Sequence, residues 1–250
     1  MKTVVIVQAR MTSTRLPGKA LLPLAGRPML ERLLERLARV RLADSVVVAT
    51  TTNATDDPIV ELCTAMGVGC FRGSEHDVLS RYAGAAAAHG AELVARVTSD
   101  CPLLDPQLVD ELIELCSRSA GTLDYVSNML EPSYPYGMAV EVMTMAALLA
   151  AAAEATRDEE REHVTPYIYR HPERFRLRSV RHPTDLSRHR WTVDTPEDYE
   201  LVGRIFAALY PRKPSFVMDD VLGLLREHPE WSRINEHVLQ RKLADRPGLQ

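Results

Sequence analysis

The chain has 250 residues, 46% of them hydrophobic and 26% charged, so it contains enough apolar side chains for the core of one globular domain. Its net charge of -4 disfavours a nucleic-acid-binding function, and because no apolar run approaches the roughly 20 residues that span a bilayer, we expect no membrane association. The four cysteines form neither a CxxC pair nor a Cys/His cluster with zinc spacing, which is typical of a cytoplasmic protein without a zinc site.

Short apolar runs alternate with amphipathic stretches between residues 1 and 130. Residues 3–9 form a continuous β-branched run, which predicts a strand buried on both faces of a sheet. Residues 29–40 carry apolar side chains at helical spacing, which predicts an amphipathic helix. The alternation predicts an α/β fold with a doubly wound, mostly parallel sheet. By the same reasoning, further strands are predicted at 45–51, 67–71, 93–98 and 124–128, and further helices at 57–66, 74–89 and 106–116.

The pattern is less regular after residue 135. Thr195 and Pro196 are suited to the cap and the first position of a helix, and the tail from residue 216 reads as helical. We predict a catalytic domain at 1–210, with an insertion at 134–182 for acceptor binding or dimerisation, and a peripheral helical extension at 211–250. The other predicted elements are an extended segment at 137–143, helices at 144–155 and 157–169, and strands at 175–180 and 190–193.

The loop after the first predicted strand is unusually basic. Residues 1–30 contain five cations and no acid, whereas the other 220 residues carry a net charge of -9. Arg10, Arg15 and Lys19 lie in this loop between threonines, serines and a glycine, and such donors neutralise a triphosphate. Ligands of doubly wound sheets bind at the carboxyl ends of the strands, so the loop predicts a triphosphate site, with a solvated basic loop as the alternative. Neither a Walker loop nor a GxGxxG motif is present, which disfavours a nicotinamide dehydrogenase.

Two aspartates follow predicted strands. Asp100 comes directly after the strand at 93–98, and Asp194 directly after the one at 190–193. If both strands belong to one sheet, the two carboxylates can face one Mg²⁺, together with waters and phosphate oxygens. The alternative for Asp194 is that it only begins the following helix. Asp105, which precedes Pro106, is predicted to cap a helix instead.

Two further segments carry polar side chains. Residues 134–142, YPYGMAVEV, form a candidate acceptor-binding segment, from which we select Tyr136, Gly137 and Glu141. His163 lies in a charged helical segment without a partner at the i+4 position, so we expect a surface or intersubunit position rather than a metal ligand.

Taken in chain order, four segments resemble the cytidylyltransferase family that activates acidic sugars, which includes the CMP-sialate and CMP-ketodeoxyoctonate synthetases. The match is best to its SpsF-like branch of spore-coat polysaccharide biosynthesis. The resemblance implies a GT-A-like, Rossmann-type three-layer sandwich. It also implies Mg²⁺-dependent transfer of CMP from CTP to a sugar or sugar acid in surface polysaccharide or specialised glycan biosynthesis, and a homodimer. The segments are VQARMTSTRLPGK at 7–19, RVTSDCPLL at 96–104, EREHVTP at 160–166 and TVDTPED at 192–198.

The resemblance also implies residue roles. Asp100 and Asp194 match the family's metal-binding aspartates, and Arg15, Lys19 and Asp100 take catalytic roles. The segment 73–79 matches the part that contacts the base and ribose, although its polar pattern differs from that of the sugar-acid synthetases. Thr98 and Ser99 replace a common Gln-Gly pair of the ketodeoxyoctonate enzymes. The implied nucleotide contacts are Ala9, Arg10, Ser13, Arg15, Lys19, Ser74, Asp77, Val78 and Thr98.

Two other functions fit parts of the pattern. A glycosyltransferase that uses a nucleotide sugar would have similar sheet and metal chemistry, but such enzymes commonly present a DxD pair, whereas Asp100 stands alone between Ser99 and Cys101. A non-catalytic nucleotide-binding subunit would not need a second acid such as Asp194.

Overall fold

The structure, a computed structural model, describes residues 1–119 and 121–240. Its centre is a seven-stranded sheet of order β3-β2-β1-β4-β6-β5-β7. The strands are β1 Thr3–Gln8, β2 Ser45–Thr51, β3 Gly69–Gly73, β4 Leu93–Thr98, β5 Tyr125–Ser127, β6 Glu141–Thr144 and β7 Leu177–Ser179. Neighbouring strands run parallel, except that β6 is antiparallel to both β4 and β5. The predicted doubly wound, mostly parallel sheet is confirmed.

Helices cover both faces of this sheet. Alternate side chains of β1 are therefore buried on opposite faces of the sheet. Val5 and Val7 point into a core shared with α1, α2, α4, α8 and α9, whereas Val4 and Ile6 point into a second core shared with α3, α5 and α7. Among the described residues, no helix is both long and apolar enough to cross a membrane. The α-helices are α1 Met29–Leu37, α2 Asp57–Met66, α3 Val78–Ala88, α4 Pro106–Arg118, α5 Met145–Glu154, α6 Asp158–His163, α7 Pro166–Arg170, α8 Pro196–Leu209 and α9 Met218–Glu227.

The predicted helix at 157–169 is wrong as a single element. It breaks into α6 and α7 at Val164, whose φ of 73° lies in the left-handed region. Pro166 contributes to the break, because proline has no N–H with which to continue the hydrogen bonds of α6 and instead stands at the first position of α7. α3 likewise begins at Val78 rather than at residue 74, because the Asp77 side chain accepts a hydrogen bond from the Ser80 N–H and caps the helix there.

The predicted strand at 190–193 does not form. Its N–H groups bond to loops instead of to a ladder: Trp191 N donates to the Tyr136 carbonyl at 2.6 Å, and Val193 N donates to the Asp100 carbonyl at 2.8 Å. The third strand also lies two residues later than predicted, at Gly69–Gly73. The segment at 190–193 therefore joins Asp100 directly, which brings Asp194 to the end of β4.

The C-terminal segment beyond α8 packs on the same core. Phe216, Val221 and Leu225 are buried in the cluster that contains α8, and Pro229–Arg233 forms a 3₁₀ turn after α9. The predicted extension at 211–250 is described as far as residue 240, and residues 241–250 lie outside the described part. The domain division at residue 210 stays a prediction.

Candidate active site

Three chain segments meet at the carboxyl ends of β1 and β4. These strands are neighbours, with Gln8 opposite Thr98, and the Ser99 N–H donates to the Gln8 carbonyl at 2.9 Å. Asp100 thus lies beside the start of the basic loop. The segment that carries Asp194 is attached here by the hydrogen bond from Val193 N to the Asp100 carbonyl. The basic loop, Asp100 and Asp194 are therefore brought to one place, although the strand at 190–193 on which this prediction depended does not form.

Lys19 lies at the centre of this arrangement. Its ammonium contacts Asp100 Oδ2 at 2.9 Å, Asp194 Oδ1 at 2.8 Å and the Val193 carbonyl at 2.8 Å. The side chain can turn inward because Gly18 adopts a left-handed φ of 71° just before the turn at Lys19–Leu21. Two carboxylates 94 residues apart in the sequence therefore share one buried cation.

These ionic contacts fix the charges of the centre. Burial alone would lower the pKa of Lys19, but the attraction of Asp100 and Asp194 raises it above its usual value. Burial would raise the pKa of Asp100, but the Lys19 ammonium and the Thr98 hydroxyl hold it at about 2. The stabilisation from Asp100 is thus present above about pH 4 and is lost as the pH falls toward 2. That from Lys19 is present below about pH 10 and is lost as the pH rises through its raised pKa.

Asp194 is held from its other side by two arginines. Its Oδ2 forms an ion pair with Arg15 Nη2 at 2.9 Å and accepts a hydrogen bond from Arg190 Nη2 at 3.0 Å. Arg190 in turn pairs with the fully buried Asp198, which belongs to the capping box of α8. Both Asp194 oxygens therefore have cationic partners, and the carboxylate has a defined orientation.

The tip of the basic loop is tied to the segment before α3 by Glu75. The Glu75 carboxylate accepts hydrogen bonds from Thr12 Oγ1 at 2.6 Å and Asn53 Nδ2 at 2.5 Å, and Arg10 lies within 3.5 Å of it. These hydrogen bonds lower the pKa of Glu75. Arg10 thus points toward the cavity beside α3, and Ser13, next to this tip, is half-buried.

A cavity of about 780 Å³ opens beside this loop. Arg10, Thr98, Asp77 and Val78, four of the residues predicted to contact the nucleotide, line it. Ala9 is buried at its edge, with its N–H bonded to the Ala49 carbonyl. Arg96 forms part of the floor, and the remaining lining side chains are Gln8, Glu75, His76, Asp158, Arg161, Glu162 and His163.

The segment at 73–79 has a structural task as well. Asp77 caps α3 and forms a bidentate ion pair with Arg161 of α6, at 3.0 and 2.5 Å. The Ser74 carbonyl accepts a hydrogen bond from Arg81. These contacts join the start of α3 to α6 beside the cavity, and the nucleoside contacts of this segment stay predictions.

The structure does not gather the three predicted acceptor-binding residues in this cavity. Tyr136 lines a second cavity, of about 1020 Å³, together with Trp191 and the C-terminal segment. Glu141 is buried, and its carboxylate accepts hydrogen bonds from Tyr125 at 2.5 Å and Thr165 at 2.6 Å and pairs with Arg96. Glu141 thus contacts Arg96, which lines the first cavity, and the acceptor roles stay predictions.

Gly137 has a backbone role beside the segment that carries Asp194. Its φ is 106°, and a Cβ there would lie 2.5 Å from the Thr192 nitrogen and the Trp191 carbonyl carbon. We expect Gly137→Ala to lower the free energy of unfolding by about 2 kcal/mol or more, from backbone strain and this collision. Chemical denaturation measures the change. Gly203→Ala, with no atom within 4 Å of the added Cβ, is the control and should be neutral or slightly stabilising. Equal stability of both variants would contradict the expectation.

The aspartate pair fits a magnesium ion. Among residues 1–119 and 121–240, no group of three or more His, Cys, Asp or Glu side chains is arranged to hold a metal. Asp100 and Asp194 nevertheless each place one oxygen within 2.9 Å of a single cationic atom, Lys19 Nζ. Mg²⁺ is commonly bound by one or two carboxylates, with waters and substrate phosphates completing its shell. The donor set therefore suits a cation that is bound together with phosphates.

A sequence profile of the family described as Cytidylyltransferase matches residues 4–212, which is most of the chain. The chain belongs to this family. It is therefore an enzyme of the nucleotidyltransferase class, and the site described above lies within the matched part. Cytidylyltransferases use CTP, so membership of this family identifies CTP as the nucleoside triphosphate that the enzyme uses.

Several relatives of this cytidylyltransferase match most of its length, and one matches about half of it. It is 38% identical to an uncharacterized protein of Methanocaldococcus jannaschii, over 98% of the chain and 99% of the relative. It is 33% identical to the spore coat polysaccharide biosynthesis protein SpsF of Bacillus subtilis, over 90% and 94%. The 3-deoxy-manno-octulosonate cytidylyltransferase of Geobacter sulfurreducens is 41% identical over 45% of the chain and 44% of that enzyme. A solved cytidylyltransferase from Leptospira borgpetersenii matches with a TM-score of 0.90 and 32% identity, over 97% of the chain and all of that structure.

Sequence reasoning missed the residues behind Asp194 in this cytidylyltransferase. Arg190 and Asp198 hold Asp194, and Asn235 holds Arg190 and Asp198. One signal was available, because an acid three residues after the cap residue Thr195 indicates a capping box. Nothing in the sequence indicated Asn235, which lies 37 residues after its partner Asp198.

Proposed function

We propose that the protein transfers CMP from CTP to a sugar or sugar-acid acceptor, with Mg²⁺ as the metal, for surface polysaccharide or another specialised glycan. The observation that carries the proposal is the buried Lys19 ammonium shared by Asp100 and Asp194, next to a loop with two more cations. Nucleotidyl transfer requires a site for the triphosphate and carboxylates in a fixed orientation that can hold a metal ion.

In the proposed reaction, an acceptor oxygen attacks the α-phosphorus of CTP. A bond between this oxygen and the α-phosphorus forms, the bond to the pyrophosphate oxygen breaks, and negative charge accumulates on pyrophosphate. Arg15 and Lys19 stabilise that charge, while Arg10 and Ser13 hold the phosphates in position. Asp100 and Asp194 would hold Mg²⁺, which would supply further charge neutralisation on the phosphates.

The cavity of about 780 Å³ is the proposed space for nucleoside and acceptor. Arg96 supports an anionic acceptor, because its guanidinium lies at the floor near Thr98 and is kept in place by Glu141. The names of two relatives, a spore coat polysaccharide protein and a sugar-acid cytidylyltransferase, agree with such an acceptor. The homodimer implied by family resemblance stays a prediction that light scattering can test.

A pyrophosphate-release screen tests this function. It crosses CTP, UTP, GTP and ATP with acidic sugars, sugar phosphates and phosphonates, with and without MgCl₂. We expect release to require CTP, magnesium and an acidic sugar together. Transfer from a preformed nucleotide sugar without pyrophosphate release would overturn the proposal, and so would nucleotide binding with no turnover on any acceptor.

A further inference from the structure

The orientation of Asp194 depends on a buried chain of hydrogen bonds that begins in the C-terminal segment. Asn235 is only 3% exposed. Its amide group donates to Asp198 Oδ1 at 2.8 Å and to the Arg190 carbonyl at 2.9 Å. Both acceptors belong to residues that touch Asp194 directly. Asn235 lies beyond residue 212, where the match to the family profile ends.

Asp198 and Arg190 control both the main chain and the side chain of Asp194. Asp198 Oδ2 accepts hydrogen bonds from the N–H groups of Asp194 at 3.0 Å and Thr195 at 3.1 Å. Arg190 binds the two oxygens of Asp198 through Nε and Nη2, both at 2.9 Å, and Nη2 also reaches Asp194 Oδ2 at 3.0 Å. A shift of Asp198 or Arg190 would therefore move Asp194.

Asn235 is chemically suited to lock this pair. Asp198 Oδ1 already accepts one hydrogen bond from Arg190, and the amide of Asn235 provides a second donor without adding charge to a buried cluster. By also bonding the Arg190 carbonyl, the same amide fixes the backbone from which the guanidinium extends. Gln240 contacts Arg190 Nη1 from the same C-terminal segment.

We propose that Asn235 is a positioning residue: through Arg190 and Asp198 it sets the orientation of Asp194, and so the affinity of the Asp100–Asp194 pair for a divalent cation. The inference rests on the proposed function, because that function assigns a metal to this pair. Removing a residue that is hydrogen-bonded to a metal ligand typically weakens metal binding 10- to 100-fold. Asn235 is hydrogen-bonded to two such residues and acts on the ligand Asp194 through them. We therefore expect an effect of about tenfold.

The test compares the full-length wild type with Asn235→Ala and Asn235→Asp. Asn235→Asp keeps the size of the side chain but puts a second carboxylate in place of the neutral donor beside Asp198, whereas Asn235→Ala removes both the donor and the packing. Binding of Mn²⁺ alone, without nucleotide, is followed by the EPR signal of free Mn²⁺, and thermal unfolding is measured in parallel. We expect both variants to bind Mn²⁺ about tenfold more weakly. Glu236→Gln, an exposed neighbour, should bind like the wild type.

A purely structural role for Asn235 predicts a different result. The variants would then have a lower Tm, but the folded protein would bind Mn²⁺ as the wild type does, and this outcome would overturn the inference. If Asn235→Ala does not fold, Asn235→Asp and Arg190→Lys still test two residues of this series of hydrogen bonds. The Mn²⁺ titration needs no turnover, so a wild type that binds Mn²⁺ but releases no pyrophosphate counts against the proposed function alone.

Discussion

Asp100→Asn should reduce pyrophosphate release by at least about 100-fold while the protein stays folded. The substitution keeps the shape of the side chain but removes a charge that lies 2.9 Å from Lys19 and that the proposed metal needs. Loss of one charge-stabilising group at a reacting phosphate typically costs about 10²-fold or more in rate. The measurement is kcat for pyrophosphate release at saturating CTP and MgCl₂, with circular dichroism to verify the fold.

The matched control for this experiment is Asp185→Asn. Asp185 is an exposed aspartate whose side chain accepts hydrogen bonds from Ser187, away from Lys19 and Asp194. Its replacement should leave kcat unchanged. If Asp100→Asn turned over within about threefold of the wild type, Asp100 would not be needed for the reaction, and its proposed role as a metal ligand would be wrong.

Lys19→Met is expected to have two separate effects. Turnover should fall at least about 100-fold, because Lys19 is proposed to neutralise the leaving pyrophosphate. The protein without metal should also lose about 3 kcal/mol of stability, because the substitution leaves Asp100 and Asp194 facing each other without their shared cation. For a chain of this size, that loss lowers Tm by about 6–12 °C.

Divalent cations should show whether Lys19→Met is destabilised by its two unpaired carboxylates or only by lost packing of the lysine side chain. In Lys19→Met, Mn²⁺ no longer competes with an ammonium for the two carboxylates, so it should raise the Tm of the variant by more than it raises that of the wild type. Lys2→Met, at the exposed amino terminus, serves as the control for removal of a lysine. An equal Mn²⁺ effect on Lys19→Met and on the wild type would contradict the proposed cation site.

The elements closest to the site could be predicted from local sequence patterns. β1, β2 and β4 are short apolar runs whose bounds agree with the prediction to within one residue, and their alternation with helices predicts the mostly parallel sheet. Asp100 stands out because it directly follows such a strand. The basic loop stands out because three cations lie within ten residues. These signals are local, and local patterns are what a single sequence reveals.

The rest of the site depends on contacts between distant segments. The residues at 190–193 read as a strand, yet their N–H groups bond to Tyr136 and Asp100, which no periodicity could indicate. Arg190 looks like one of many surface arginines, but it is 7% exposed and joins two buried aspartates. Whether such a residue is buried is decided by how the C-terminal segment packs, and a pattern within ten or twenty residues does not contain that information.

The cations of the basic loop all have anionic partners within the protein. Arg10 lies beside Glu75, Arg15 pairs with Asp194, and Lys19 pairs with Asp100 and Asp194. Binding of a polyphosphate here is therefore an exchange of ion pairs, and the gain in free energy is the difference between two sets of contacts. A small anion such as inorganic phosphate cannot replace all these partners at once. We therefore expect inorganic phosphate to compete only weakly with a nucleoside triphosphate for this loop.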